Sequence, residues 1–113
     1  MEGEMLKGHL DMIVLAALAA GPAHGYAVIE EIRRRSKQAF DLPEGTIYPA
    51  LHRLIKRGWI SVQDGTSENN RRAKFYRLTP RGRRQLAVET GKWEKLAGAI
   101  ARILRPAEQE SQS

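Results

Sequence analysis

The 113-residue sequence contains no cysteine. Without thiols the chain has neither a disulfide framework nor thiolate chemistry, so a redox role is excluded and a cytoplasmic location is expected. Its longest apolar run, residues 12–20, is too short to span a bilayer, and the acidic residues that precede it are unlike a secretion signal. We therefore predict that this run forms a buried helix and that the protein has no membrane segment.

Motifs for catalysis and for metal binding are also missing from the sequence. It contains no glycine-rich phosphate loop and no nucleophile paired with a base. Its histidines, His9, His24 and His52, have neither ligand spacing on one helix nor an acidic partner placed nearby. We expect a protein that is not an enzyme and that binds no metal and no cofactor.

Positive charge is abundant and unevenly distributed. Nineteen lysines and arginines stand against thirteen acidic residues, for a net charge of +6. Residues 52–84 hold ten of these cations and only two of the acids, so this stretch has a charge of +8 and the rest of the chain a charge of −2. Such a concentration of cations favours a polyanionic partner, above all a nucleic acid.

Hydrophobic periodicity predicts a mainly helical chain. Helical spacing indicates helices at residues 8–20, 25–36 and 43–58, and a fourth of about 25 residues that begins at Pro80 with Thr79 as its cap. Between the third and fourth helices the period changes to two, which predicts strands at residues 59–63 and 74–78 with a polar tip between them. Because Pro49 lacks a backbone donor, the third helix should bend or start late. Three helices followed by a two-stranded hairpin are the order of a winged helix-turn-helix.

The fourth helix is too long for a domain of this size. Its apolar residues occupy heptad-like positions, with Glu89 as the polar exception; they are Leu86, Trp93, Leu96, Ile100 and Ile103. We expect this stripe to pack on a second copy of the chain, with help from Leu10 of the first helix. The predicted organisation is a winged helix-turn-helix domain at residues 1–79, a dimerisation helix at residues 80–105 and a disordered tail at residues 106–113.

In a winged helix, the third helix enters the major groove and the hairpin tip follows the DNA backbone. The predicted groove-facing residues of the third helix are Thr46, Tyr48, Pro49, His52, Arg53 and Lys56. Arg71, Arg72 and Lys74 on the wing are the predicted phosphate contacts, and Tyr26 at the start of the second helix is a further candidate. The alternative for Arg53 and Lys56 is a solvated helix face, and the alternative for Tyr26 and Tyr48 is packing against a neighbouring helix.

Several of these segments together resemble the PadR-like transcriptional regulators, in particular the short subgroup with one C-terminal helix. The resemblance covers residues 6–104 and is carried by GPAHGY at residues 21–26, LPEGTIYPALHRL at 42–54, GTSE at 65–68 and RRAKFYRLT at 71–79. It implies a homodimeric repressor of an inverted-repeat operator in double-stranded DNA, with recognition helices about 34 to 36 Å apart. The chain departs from the family's pattern at Asn69 and Asn70, where the family often has a glycine. The conformation of the wing tip is therefore left open.

Two roles remain open for Trp93. The resemblance implies that a tryptophan at this place can face its symmetry mate across a cavity and stack on a small aromatic effector that releases the DNA. The simpler role is core of the dimer interface. For the chain as a whole, the alternatives to a DNA-binding regulator are a winged-helix protein-interaction module without DNA binding and a binder of structured RNA.

Overall fold

A computed structural model of the protein describes residues 8–106. Over these residues the helices are Leu10–Ala17 (α1), Gly25–Arg35 (α2), Glu44–Lys56 (α3) and Pro80–Leu104 (α4), and the strands are Ala23–His24 (β1), Ile60–Thr66 (β2) and Arg72–Leu78 (β3). This is the predicted winged helix-turn-helix order followed by the predicted long helix. The predicted tail, apart from Pro106, lies outside the described residues.

Side-chain caps fix where two of the helices begin. The His24 ring nitrogen Nδ1 accepts a hydrogen bond from the Ala27 amide at 3.1 Å and so caps α2. The Thr79 hydroxyl accepts from the Gly82 amide at 3.0 Å and donates to the Gly58 carbonyl at 2.7 Å. With Pro80 as the first helical residue, this cap starts α4 where the sequence predicted, and the helix has the predicted 25 residues.

One core joins the first three helices to the sheet. Large aliphatic side chains from these three helices, from the turn after α1 and from β2 are fully buried in it; they are Val14, Leu15, Leu18, Val28, Ile47, Leu51, Leu54 and Ile60. Tyr76 and Leu78 of β3 close the core from the sheet side. Because α3 buries Ile47, Leu51 and Leu54, its opposite face is directed outward.

The sheet differs from the predicted two-stranded hairpin. The two-residue β1 pairs with β3, placing Ala23 opposite Tyr76 and His24 opposite Phe75, so the strand order is β1-β3-β2. A strand of two residues is too short to show a period in the sequence, and its pairing partner is about 50 residues away. The wing is therefore tied directly to the start of α2.

The hairpin strands are longer than predicted. The ladder continues to the pair formed by Thr66 and Arg72, so the predicted tip at residues 64–72 shrinks to residues 67–71. The ladder is made of backbone hydrogen bonds, which polar residues form as well as apolar ones, so the loss of alternation in the sequence did not mark its end. At the tip, Asn70 has a φ of +59°, a left-handed conformation that glycine adopts freely and asparagine tolerates. This resolves the departure at the wing: Asn70 takes the conformation for which glycine is usually needed.

Two helix boundaries also differ from the predictions. Helix α3 begins at Glu44 and continues through Pro49 to Lys56. The predicted late start of this helix is therefore wrong. The missing donor of Pro49 would have served the carbonyl of Gly45, and Gly45 is an exposed residue. Helix α1 ends at Ala17, and Leu18 to Gly21 continue as tighter turns, with the Gly21 amide bonded to the Leu18 carbonyl at 3.2 Å.

Candidate nucleic-acid interface

The outer face of α3 is polar and basic, as predicted. Pro49, His52, Arg53 and Lys56 are all exposed on it. Thr46 and Tyr48 are half-buried on opposite flanks of this face, since they lie about 200° apart around the helix. A helix with this distribution has one face anchored in the core and the other available to a ligand.

The Tyr48 flank is packed against the start of α2. The Tyr48 ring lies directly on Gly25, and a Cβ at Gly25 would be only 2.6 Å from the ring carbon Cζ. Tyr48 is therefore a packing residue at the helix margin, whereas its neighbour in space Tyr26 is 58% exposed. Of the two tyrosines, Tyr26 is the more exposed to a ligand.

A shallow cleft joins this corner to the wing. It has a volume of about 410 Å³ and lies between the start of α2, the Tyr48 side of α3 and the wing. Five of the predicted contact residues line it; they are Tyr26, Tyr48, Arg71, Arg72 and Lys74. Residues from three separate parts of the sequence thus meet at one surface, and three of these five are cations.

Further polar groups at this cleft were missed by sequence reasoning. Ser67 and Asn69 of the wing tip also line it, and they add a hydroxyl and an amide to the cations. The polar composition of the wing tip was the signal in the sequence that could have identified Ser67 and Asn69.

Tyr76 lies at the same cleft, and burial raises the pKa of its phenol above the ordinary value of 10.0, with the neighbouring Tyr48 adding to the shift. The Tyr76 phenol therefore stays neutral at physiological pH.

The opposite flank of α3 faces α1. Arg53 donates from Nη2 to the Oδ1 atom of Asp11 at 2.9 Å, and Arg57 Nη1 is 3.6 Å from Oδ2 of the same carboxylate. The Arg57 guanidinium also lies over the Trp59 ring, 5.0 Å from its centre. Arg53 is exposed as predicted, but its guanidinium is held by an acid from another helix. Neither Asp11 nor Arg57 was singled out from the sequence, although Arg57 follows Arg53 at the spacing of one helical turn.

The apolar stripe of α4 is largely uncovered beyond the core. Leu86 packs partly against the core, but Trp93, Leu96 and Ile100 are 43%, 47% and 45% exposed and Ile103 is 80% exposed. Leu104, which the sequence reasoning missed, is 77% exposed beside them. Leu10, the predicted contribution of α1, is half-buried at the edge of the core. This row of exposed side chains has the spacing of a helix-pairing surface.

Trp93 lies beside α1. Its ring meets the His9 ring edge-on, with 5.2 Å between centres, and a small cleft of about 140 Å³ opens between them. Met12, Glu89, Lys92 and Leu96 complete its walls together with Gly8. Glu89, the polar exception in the stripe, accepts a hydrogen bond from Gln85 at 2.7 Å. Trp93 is thus partly packed and partly accessible, which is compatible with either of its predicted roles.

Over residues 8–106, no group of three or more histidine, cysteine or acidic side chains is placed to hold a metal ion. None of the helices in the same range is long and apolar enough to cross a membrane.

Known proteins resemble the chain in both sequence and structure. The model of the transcriptional regulator PadR-like family matches residues 14–88. The transcriptional regulator Rv3488 of Mycobacterium tuberculosis is 30% identical over 97 residues, which cover 86% of this chain and 87% of that protein. A transcriptional regulator from Clostridium thermocellum superimposes with a TM-score of 0.81 at 29% identity, covering 91% of this chain and 100% of the other. For a PadR-like regulator from Bacillus cereus the TM-score is 0.80 at 25% identity, with coverages of 92% and 99%.

Proposed function

Because the chain belongs to the PadR-like family of transcriptional regulators, we propose that it is a homodimeric repressor that binds an inverted-repeat operator in double-stranded DNA. The observation that carries this proposal is the meeting of the start of α2, the α3 margin and the wing at one basic cleft. A protein-interaction module would instead present an apolar outer face on α3, and that face is polar and basic.

In this proposal the two parts of the surface have different tasks. Helix α3 enters the major groove, where Thr46, Pro49, His52 and Arg53 meet base edges. Lys56, Tyr26 and the wing cations bind phosphates, which position the protein and supply most of the affinity; the wing cations are Arg71, Arg72 and Lys74. Tyr48 acts mainly by packing, because its ring supports the corner where α2 and α3 meet.

The salt dependence of binding tests the role of the wing. Replacing both Arg71 and Arg72 by alanine removes two phosphate contacts, so the slope of log affinity against log salt should become shallower by about two. Fluorescence anisotropy with a labelled duplex from the region upstream of the protein's own gene measures this slope.

The matched control is the double alanine variant of Arg33 and Arg34. These two adjacent cations lie at the far end of α2 and pair with Glu30 at 3.6 Å and Glu31 at 2.9 Å. Their removal changes the net charge by the same amount and should leave the slope as it is. A slope that stays the same in the wing variant would exclude the wing from the interface.

The exposed stripe of α4 supports the homodimer. A single chain leaves Trp93, Leu96, Ile100 and Ile103 open to water, and a two-fold partner that offers the same stripe would cover them. Recognition helices one DNA turn apart, about 34 to 36 Å, would then read the two halves of an inverted repeat.

We place a small planar aromatic effector at Trp93. The accessible part of its ring and the cleft beside His9 support this placement, and pairing of two copies would enclose the site. Titration of a Trp59→Phe variant with planar aromatic compounds measures quenching of Trp93 alone. If a broad panel of such compounds leaves its fluorescence unchanged, Trp93 is part of the interface core only.

A further inference from the structure

One carboxylate at the edge of the recognition surface holds two arginines. Asp11 belongs to α1 and lies 42 residues before Arg53 in the sequence, yet its Oδ1 atom is 2.9 Å from Arg53 Nη2. Its Oδ2 atom is 3.6 Å from Arg57 Nη1. Each carboxylate oxygen therefore faces a different guanidinium, one from the last turn of α3 and one from Arg57, the residue that follows this helix.

The exposed fractions of these side chains show how the contact is arranged. The Asp11 side chain is 27% exposed, whereas those of Arg53 and Arg57 are 47% and 54% exposed. The acid is thus the inner partner and the arginines are the outer ones. Arg57 is held a second time by the Trp59 ring, 5.0 Å from its guanidinium carbon. Asp11 anchors these side chains from beneath while part of each guanidinium remains open.

An anchored arginine suits base recognition better than phosphate binding. A phosphate contact needs only a positive charge within reach, and a neighbouring carboxylate weakens that attraction. Reading guanine needs a guanidinium in one orientation, because two of its donors must meet O6 and N7 together. With Nη2 held by Asp11, Arg53 keeps donors on its other nitrogens and loses less rotational freedom on binding.

We propose that Asp11 is a positioning residue for base recognition, which holds the Arg53 guanidinium in the orientation that reads a base edge in the major groove. This inference rests on the proposed DNA-binding function and deepens it. Asp11 itself touches no DNA. It favours the operator over other sequences in two ways, because it orients Arg53 and because it makes Arg53 a poorer ligand for phosphates anywhere along the duplex.

The test compares the affinities of two duplexes for wild type and for Asp11→Ala. One duplex is the sequence that the wild-type protein enriches from a random pool, and the other is its scrambled form. In Asp11→Ala the ratio of the two affinities should fall by about 5- to 20-fold, the effect of losing one well-oriented base contact. The affinity for the scrambled duplex should stay the same or rise, since one negative charge has left the surface.

A double-mutant comparison identifies the residue through which Asp11 acts. In an Arg53→Ala background, Asp11→Ala should no longer change the ratio, because the side chain that it orients is gone. Arg53→Lys retains the positive charge without the planar fork and should lose most of the discrimination. The control is Asp64→Ala on the wing. This variant also removes one negative charge, but at a site that does not contact Arg53, so it should change both affinities by the same factor. Thermal unfolding of each variant confirms that it is folded.

Several results would overturn the proposal. An unchanged ratio in Asp11→Ala, with wild-type discrimination intact, refutes the role of Asp11 and leaves the proposed function standing. Equal losses on both duplexes show that Asp11 only maintains the fold, and equal gains show that it only competes with phosphate for the arginines. If the wild-type protein enriches no sequence from the pool, the proposed function fails and the role of Asp11 fails with it.

Discussion

Truncation of Ile100 to alanine should weaken self-association of the chain. Ile100 lies on the apolar stripe of α4, is 45% exposed and is not among the residues that pack against the core. Removing three carbons from a fully buried side chain costs about 2.4 kcal/mol. The 45% of Ile100 that a partner would cover therefore corresponds to about 1 kcal/mol in each copy. A two-fold interface contains the residue twice. The dimer should therefore lose about 2 kcal/mol, which is roughly a 30-fold increase in its dissociation constant.

Val88 offers a matched control on the same helix. It is 49% exposed, close to the value for Ile100, but it lies outside the heptad positions of the stripe. Val88→Ala should change the dissociation constant by less than about twofold, because a solvated valine that remains solvated contributes nothing to pairing. Sedimentation equilibrium over a range of protein concentrations measures both variants. Equal dissociation constants for the Ile100 variant and the wild type would show that the stripe is not the interface, and a larger effect at Val88 would place the interface on another face of α4.

Two further predictions concern the stability of the fold. Gly82→Ala should lower the free energy of unfolding by about 2 to 3 kcal/mol, because the new Cβ would collide with the Trp59 carbonyl oxygen. Gly91→Ala, in open space on the same helix, should raise it by about 0.5 to 1 kcal/mol. Urea unfolding at one fixed protein concentration compares them, and a similar change at both sites would contradict the packing argument. Because the pKa of Tyr76 is raised in the folded state, the unfolded chain loses the phenolic proton at a lower pH than the folded protein does. The contribution of Tyr76 to stability is therefore complete below pH 10.0 and is lost as the pH rises through the higher folded-state pKa. Tyr76→Phe should flatten this alkaline decline and Tyr26→Phe should not; an identical decline in both variants would refute the assignment to Tyr76.

The sequence was most informative where a local chemical signal marks a boundary. Thr79 followed by Pro80 placed the start of α4 at the observed residue, since a hydroxyl cap and a residue with no amide donor are both local requirements of a helix start. The apolar ends of the hairpin strands were predicted to within one residue, whereas their polar ends were predicted too short, because alternation reports burial and not hydrogen bonding.

The candidate site was predicted in part. The exposed face of α3 follows from helical geometry once the inner face is known, so Pro49, His52 and Lys56 were placed correctly. Whether Tyr48 packs or faces a ligand could not be decided from the sequence, because the answer depends on Gly25, a residue of another helix whose missing side chain makes room for the ring. The two roles of Trp93 depend in the same way on what covers its free part.

The sequence by itself determined the four helices and the two hairpin strands to within a few residues, which side of each is apolar, and where the positive charge is concentrated. These properties depend on residues that are near neighbours along the chain, so they can be obtained from spacing alone. Only the tertiary structure decided that β1 joins the wing to α2, that five predicted contacts share one cleft, and that Asp11 holds Arg53 across two helices. Each of these is a contact between distant parts of the chain, and its geometry is fixed by how the helices and the sheet pack on their common core.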